Sequence, residues 1–243
     1  MSQTERMVIR TALDLLYPRR CAGCACDLSD EVGALCWDCR SRLRTIGEPC
    51  CAWCGNPLEG RADHAYVCFH CTRMEPAFDR ARSAVRLEGV AVDLIHAFKY
   101  HAALWLRDEL LDWLEACLRV HYADSTWTAV CPVPLHATRA RDRGYNQAAV
   151  LASGLSRRLK SAYWPSVLSR VRPTETQTHL TARQRLSNVA DAFLVRRVRA
   201  VAGCRLLLVD DVMTTGATTS ACAKALKRAG CESVHVVTIA RGQ

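Results

Sequence analysis

The stretch RLLLVDDVMTTGATTSACAKALKRAG, residues 205–230, decides the fold. Leu206, Leu207, Leu208 and Val209 form an unbroken apolar run, as a strand does when both its faces are covered in a parallel sheet. The run ends on Asp210 and Asp211, adjacent carboxylates that repel each other at neutral pH. Thr214, Thr215, Gly216, Ala217, Thr218 and Thr219 then lead into a helical pattern that closes at Gly230. A parallel strand delivers its last residues to the carboxyl edge of the sheet, where ligands sit in α/β folds. Gly216 lets the backbone bend so that successive N–H groups converge on one anion. The threonine hydroxyls add donors, and the following helix adds its positive end. This is a cradle for a terminal phosphate without a lysine, because the G-x-x-x-x-G-K-[ST] pattern of nucleotide-hydrolysing loops is absent. Too little chain follows Asp211 for a phosphoaspartate receiver domain. Two carboxylates just ahead of the cradle suit the vicinal hydroxyls of a phosphate-bearing ribose. The plainer alternative is a surface Asp-Asp turn with a threonine helix cap.

Outward from this stretch the chain alternates. WTAVCPVP reads as a strand, YNQAAVLASGLSRRLK as a helix, SVLSRVR as a short strand and SVHVVTIAR as a closing strand. Strands separated by helices of this length predict an α/β fold with a parallel sheet flanked by helices. Upstream, RARSAVRLEG alternates like a strand. VDLIHAFKYHAALWLRDELLDWLEACLRVHY reads as helical, with Leu94, Ile95, Phe98, Leu106, Leu110, Leu114 and Leu118 on or near one face. Residues 1–20 read as a short amphipathic helix ended by Pro18. Residues 172–189 are polar and without period, a length that points to a segment closing over a site.

Two features of composition stand out. Fifteen cysteines occur in 243 residues, eight of them in four C-x-x-C pairs: CAGC, CWDC, CAWC and CFHC. No secretory signal precedes them, and no apolar run reaches the roughly 20 residues of a membrane helix, so a cytoplasmic location is expected. In a reducing compartment such pairs are metal thiolates rather than disulfides. Two C-x-x-C turns close one tetrahedral Cys₄ site, so four predict two zinc ions. Cys21, Cys24, Cys36 and Cys39 would hold one, and Cys51, Cys54, Cys68 and Cys71 the other. Cross-braced pairing, or His64 or His70 in place of a sulfur, stays open. A full thiolate shell leaves no open position for catalysis, so the zinc is structural. Cys26, Cys50, Cys117, Cys131, Cys204, Cys222 and Cys231 fall outside the pattern and read as small hydrophobes.

The formal charge is +9, and residues 136–200 alone carry thirteen Arg and Lys against Asp142, Glu175 and Asp191. Eight thiolates on two Zn²⁺ would lower the total only to about +5. An anionic partner follows: phosphate, pyrophosphate or nucleic acid.

VDDVMTTGATT resembles the PRPP-binding motif of type I phosphoribosyltransferases. Taken in order, the cysteine module, LIHAFKY, CPVPLHATRARDRGYNQ, THLTARQRLSN and this motif resemble the ComF family of competence-associated proteins, which includes GntX-like members. The similarity covers nearly the whole chain. It implies a type I phosphoribosyltransferase-like sheet preceded by a small cysteine-rich zinc-binding module. The expected domains are residues 1–76, an N-terminal helix and double zinc-finger module, and 77–243, the phosphoribosyltransferase-like part. Within the latter, 77–125 is expected to contribute a helical hood and 126–243 the core.

The resemblance also implies roles. Asp210 and Asp211 would hold the ribose diol, and Thr214, Thr215, Gly216, Ala217, Thr218 and Thr219 the 5-phosphate. PLHATRARDRGYNQ would form the pyrophosphate loop, with Arg139 and Arg143 as donors to diphosphate oxygens. Tyr145, Asn146 and Gln147 would buttress it. Gln177, Arg183, Arg185 and Asn188 would reach the site from the closing segment, and Mg²⁺ would bridge pyrophosphate and ribose oxygens. Lys99 and His96 divide evenly between a site role and helix surface. The reaction implied is displacement at ribose C1 with an acceptor that the sequence does not name, linked to DNA uptake or nucleotide salvage. The alternative from another class is a non-catalytic protein of DNA uptake. It would bind single-stranded DNA or a helicase, with Trp37, Trp53, Tyr66 and Phe69 of the zinc module stacking on bases.

Overall fold

The computed structural model describes residues 19–28, 33–62, 64–171, 192–196 and 198–242, without the side chains of Ala137, Arg139 and Ala140. The expected N-terminal helix therefore lies outside the described residues but for its last two positions. So do Gln177, Arg183, Arg185 and Asn188. The cysteine module holds two short helices, α1 (Trp37–Ser41) and α2 (Phe69–Met74). Then follow β1 (Arg80–Arg86), α3 (Val90–Tyr100), α4 (Arg107–His121), β2 (Ala129–Pro132), α5 (Ala137–Arg143) and α6 (Gln147–Arg158). The chain continues through β3 (Ala162–Tyr163), β4 (Leu168–Arg170), β5 (Phe193–Val195), α7 (Val198–Val201), β6 (Arg205–Met213), α8 (Ala217–Arg228) and β7 (Ser233–Arg241). Five strands form a parallel sheet in the order β1-β7-β6-β2-β3. Strands β4 and β5 pair antiparallel as a separate ribbon.

The apolar run of the opening stretch is the middle of β6, paired with β2 on one side and β7 on the other. Its side chains alternate between two cores. Leu207 and Val209 join Val130, Val237 and Ile239 beneath α3, α4 and α6. Leu206 and Leu208 join Ala129, Cys131, Val234 and Val236 beneath α8. Strand β6 runs past its apolar part to Met213, so Asp210 is still in register, opposite Thr238.

The cysteine module divides between these two cores. Cys21, Leu28, Leu35, Cys36 and Cys39 pack into the first. Cys51, Cys54, Cys68, Cys71 and Phe78 pack into the second. The chain joining the halves crosses the outer edge of β1. Ile46 N–H donates to Ala84 O (3.0 Å), Arg86 N–H to Arg44 O (2.8 Å) and Ala81 N–H to Trp53 O (2.7 Å). An edge strand that would template aggregation is thereby covered, and β3 at the opposite edge is only two residues long.

A buried charge ties each half to the sheet. For the first half it is the Glu109 carboxylate on α4, which accepts from Ala34 N–H (3.1 Å), Arg40 Nη2 (3.0 Å) and Trp113 Nε1 (3.0 Å). For the second it is the Arg82 guanidinium on β1, fully enclosed, which donates to Cys51 O (3.4 Å) and Ala52 O (3.2 Å).

Two segments differ from their sequence expectation. The long helix breaks at Ala102, whose φ is +50°, and resumes after a 3₁₀ turn over Leu104–Leu106. No glycine or proline marks the break; Ala103 and Leu106 turn into the core, and packing overrides propensity. The expected pyrophosphate loop contains helix α5, capped by His136 and closed by Gly144 at φ +75°.

Glu109→Ala leaves the Ala34 and Trp113 N–H groups buried without their acceptor. It should cost about 2–4 kcal/mol in urea unfolding. A loss below about 1 kcal/mol would mean that Glu109 does not anchor the module.

Candidate functional site

The eight C-x-x-C cysteines form two quartets in sequence order, Cys21, Cys24, Cys36, Cys39 and Cys51, Cys54, Cys68, Cys71, with the sulfurs of each within 4.8 Å of one another. The pairing is sequential rather than cross-braced, and no histidine enters either set. Tetrahedral zinc at about 2.3 Å from each sulfur sets neighbouring sulfurs about 3.8 Å apart. Cys24 and Cys36 stand at 3.6 Å, and Cys54 and Cys68 at 3.7 Å. N–H groups aim at the sulfurs, as thiolates require: Cys36 N–H at Cys21 Sγ (3.2 Å) and Cys68 N–H at Cys51 Sγ (3.4 Å). The donor set fits two structural zinc ions. The first quartet is open to solvent at Cys24, and the second is buried throughout. Of the cysteines outside the pattern, Cys50, Cys117, Cys131, Cys222 and Cys231 are buried as expected of small hydrophobes, whereas Cys26 is exposed.

At the carboxyl end of β6, a cavity of about 160 Å³ is lined by Asp210, Asp211, Lys99, Arg143, Arg170 and Thr218, among others. The two aspartates leave the strand toward opposite faces, yet both reach this cavity. Asp211 pairs with Lys99 Nζ on α3 at 3.3 Å. Asp210 Oδ1 accepts the Asp211 N–H at 2.9 Å. Desolvation pushes the Asp210 carboxyl up to about 8, with the Asp211 charge adding to the rise and Lys99 and Arg170 opposing it. The mutual repulsion of the pair is thus eased in two ways: Lys99 pairs with Asp211, and the upward shift at Asp210 favours its protonated form.

The wall facing the aspartates is built by the start of α6. Asn146 caps that helix by accepting from Ala148 N–H (3.0 Å) and donates to Val133 O (3.1 Å), which fixes the turn after β2. Gln147, almost fully buried, donates to Lys99 O (3.3 Å) and accepts from Arg143 Nη1 (3.2 Å). Arg143 also reaches the Tyr100 hydroxyl (3.2 Å) and lies over that ring at 4.9 Å. The Tyr145 hydroxyl donates to Phe98 O. Tyr145, Asn146 and Gln147 therefore join α3 to the turn between β2 and α6.

Beside this cavity, residues 212–219 and Asp210 line a hollow of about 40 Å³. Gly216 sits at φ +78°, a conformation that favours glycine, and begins α8. Ala217 N–H bonds Thr215 Oγ1 (3.3 Å). The Thr219 hydroxyl is already committed to Gly216 O (3.0 Å), which leaves its backbone N–H in the first turn of α8 as the group it offers.

Of the four arginines expected at the site, the structure brings Arg143 to the cavity. The Arg139 side chain is not described, and Arg183 and Arg185 lie outside the described residues. Lys99 joins the site through its pairing with Asp211. Arg170 was not legible in advance, because a lone arginine at the end of a three-residue strand carries no local signal. In the cysteine module, Trp37 and Phe69 are 74% and 72% exposed, whereas Trp53 is 39% exposed and Tyr66 partly buried.

The double zinc ribbon domain family matches residues 12–72, and the phosphoribosyl transferase domain family matches 145–243. Competence protein F of Haemophilus influenzae is 33% identical over 231 residues, covering 91% of this chain and 96% of that one. The chain belongs to the ComF family. DNA utilization protein YhgH of Escherichia coli is 30% identical over 86% of this chain and 98% of its own length. Competence protein ComFC of Bacillus subtilis is 28% identical over 85% of this chain and 84% of its own. Among solved structures, the adenine phosphoribosyltransferase of Thermoanaerobacter pseudethanolicus aligns with 58% of this chain and 83% of its own, at 15% identity and a TM-score of 0.37. The fold assignment rests instead on the matched domain and the parallel sheet. Among the described residues, no helix of this ComF-family chain is long and apolar enough to cross a membrane.

Two outcomes are expected. Metal analysis of the purified protein gives two zinc ions per chain, and a value of one would break the quartet assignment. Asp210→Asn tests the upward shift. A carboxyl raised by folding binds a proton that the unfolded chain has already lost, so its contribution to stability falls as pH rises from about 4 to about 8. The substitution should therefore raise Tm more at pH 8 than at pH 5, by about 2–4 °C for each kcal/mol. Equal shifts at both pH values would contradict the raised pKa.

Proposed function

We propose that the chain binds 5-phosphoribosyl 1-pyrophosphate with Mg²⁺ and transfers its phosphoribosyl group to an acceptor. The observation that carries this reading is the convergence of three chemistries at the carboxyl end of β6. Two carboxylates suit ribose hydroxyls, the turn at 214–219 suits a phosphate, and Lys99, Arg143 and Arg170 suit a diphosphate. The dual polarity is what a ligand with both hydroxyls and phosphates demands. In this reading Asp210 and Asp211 accept from the 2- and 3-hydroxyls. Backbone N–H groups of 214–219 hold the 5-phosphate. Arg143, held by Gln147 and Tyr100, presents its fork to the pyrophosphate with little entropy left to lose. Arg139, Arg183 and Arg185 join it as donors.

Among the described residues, only the two cysteine quartets bring together three or more metal-ligating side chains. With Lys99 already on Asp211, the site is not a preformed cation cage. Mg²⁺ would arrive on the ligand's own oxygens, and its chemistry is to neutralise charge on the departing pyrophosphate. The protein's part is electrostatic: its cations meet the negative charge that leaves as C1 gains oxocarbenium character.

A second reading is favoured by the exposure of Trp37 and Phe69. Large aromatic faces on a basic protein suit base stacking, and single-stranded DNA is the ligand class they would take. The relatives' names, a competence protein and a DNA utilization protein, point the same way.

Calorimetry separates these readings. Intact protein should bind the pyrophosphate ligand at one site per chain only with Mg²⁺, and Asp210→Asn/Asp211→Asn should weaken it at least about tenfold. No heat from intact, zinc-loaded protein would overturn the transferase reading. Single-stranded DNA affinity, if stacking is real, survives that double substitution and falls with salt.

A further inference from the structure

The second zinc ribbon makes a direct bond to the phosphate turn that the function above does not use. His70 lies between two ligands of the second quartet, Cys68 and Cys71, on the short helix α2. Its Nε2 is 2.9 Å from the backbone O of Thr215. A carbonyl only accepts, so this nitrogen carries the proton. The Thr215–Gly216 peptide is planar and trans, and its C=O and N–H point in opposite directions. Holding the carbonyl toward His70 therefore aims the Gly216 N–H away from the ribbon. Gly216 is in the left-handed conformation and lines the 40 Å³ hollow, and its N–H has no hydrogen-bond partner among the described residues. Left-handed glycines tolerate peptide rotation that other residues resist, so this peptide needs an external hold.

A second strut runs from the same quartet. Arg241, buried at the end of β7, donates to Cys54 O (3.3 Å) and Cys54 Sγ (3.4 Å). The next residue, Gly242, donates its N–H to Met213 O (2.9 Å), where the phosphate turn begins. The start of the turn, at Met213 and Thr215, is thus hydrogen-bonded at two points to segments fixed by the second quartet. The first quartet packs into the opposite core and has no such link among the described residues.

We propose that His70 is a positioning residue for the phosphate turn, and that zinc at the second ribbon and a phosphoribosyl group at the turn bind cooperatively. The chain of contact is short: Cys68 and Cys71 fix α2, α2 fixes His70, His70 fixes the Thr215 carbonyl, and that peptide aims the Gly216 N–H. Coupling between two ligands is reciprocal, so the phosphate must hold the metal as firmly as the metal prepares the phosphate site. The phosphate half rests on the function proposed above.

Ribose 5-phosphate is the probe, used with the full zinc-loaded chain. His70→Ala should keep two zinc ions, speed exchange of the Ala217 N–H, which bonds Thr215 Oγ1, without any ligand, and weaken ribose 5-phosphate about tenfold, the loss expected of one well-aimed donor. His70→Gln, which restores a donor, should recover most of both. In wild-type protein, ribose 5-phosphate should slow the loss of one of the two zinc ions to a chelator, a measurement that needs no variant. Unchanged exchange in a two-zinc His70→Ala protein overturns the positioning role. Zinc loss unaffected by bound ribose 5-phosphate overturns the coupling. If wild-type protein binds no ribose 5-phosphate, the proposed function and the coupling fall together, and the exchange result still decides the His70 link.

Discussion

The two-sided pairing of β6 is the constraint on which the rest of the structure depends. Eight of its nine residues are in register with β2 or β7, four of them with both, and both faces are buried along the apolar part. A strand so held cannot slip, since a one-residue shift would exchange Leu206 and Leu208 with Leu207 and Val209 between the two cores. Rigidity at Val209 therefore becomes precision at Asp210, Asp211 and the turn after them. The cost is local: Asp210 enters an environment that resists its charge, and its pKa rises.

The cysteine module is less an appendage than a clasp. Each ribbon is too small to enclose a core, and metal thiolates supply the folding energy that apolar burial does not. What the ribbons add to the sheet differs between them. The first is anchored through Glu109 beneath α4, on the face that presents Lys99 to the site. The second is anchored through Arg82 and Arg241, and touches the turn at 214–219 through His70. The strip between them closes the open edge of β1. A protein built this way carries its cysteine quartets on both sides of one sheet, while the cavity at Asp210 and Asp211 opens in a third direction, at the carboxyl edge.

Much of this was legible in the sequence for a simple reason: it depends on local pattern. The apolar run before Asp210 and the glycine within the threonines announce a strand and a tight turn into a helix. The near-equal spacing of CAGC, CWDC, CAWC and CFHC announces thiolate sites. The family resemblance was legible too, because its five motifs span the chain. What escaped depends on partners distant in sequence. Nothing near Arg170 marks it as facing Asp210, and nothing near His70 predicts a bond to Thr215, 145 residues away. Lys99 stood undecided until α3 packed beside β6. The helix break at Ala102 escaped because the burial of Ala103 and Leu106, not a breaker residue, produces it.

The carboxyl end of β6 is the proposed seat of a ribose phosphate. The most direct test is an experimental structure of the zinc-loaded protein with 5-phosphoribosyl 1-pyrophosphate and Mg²⁺. The predicted result is a 5-phosphate seated within residues 214–219, ribose hydroxyls on Asp210 and Asp211, and pyrophosphate toward Arg143 and Lys99. Ligand bound elsewhere on the chain, with the turn at 214–219 empty, would contradict it.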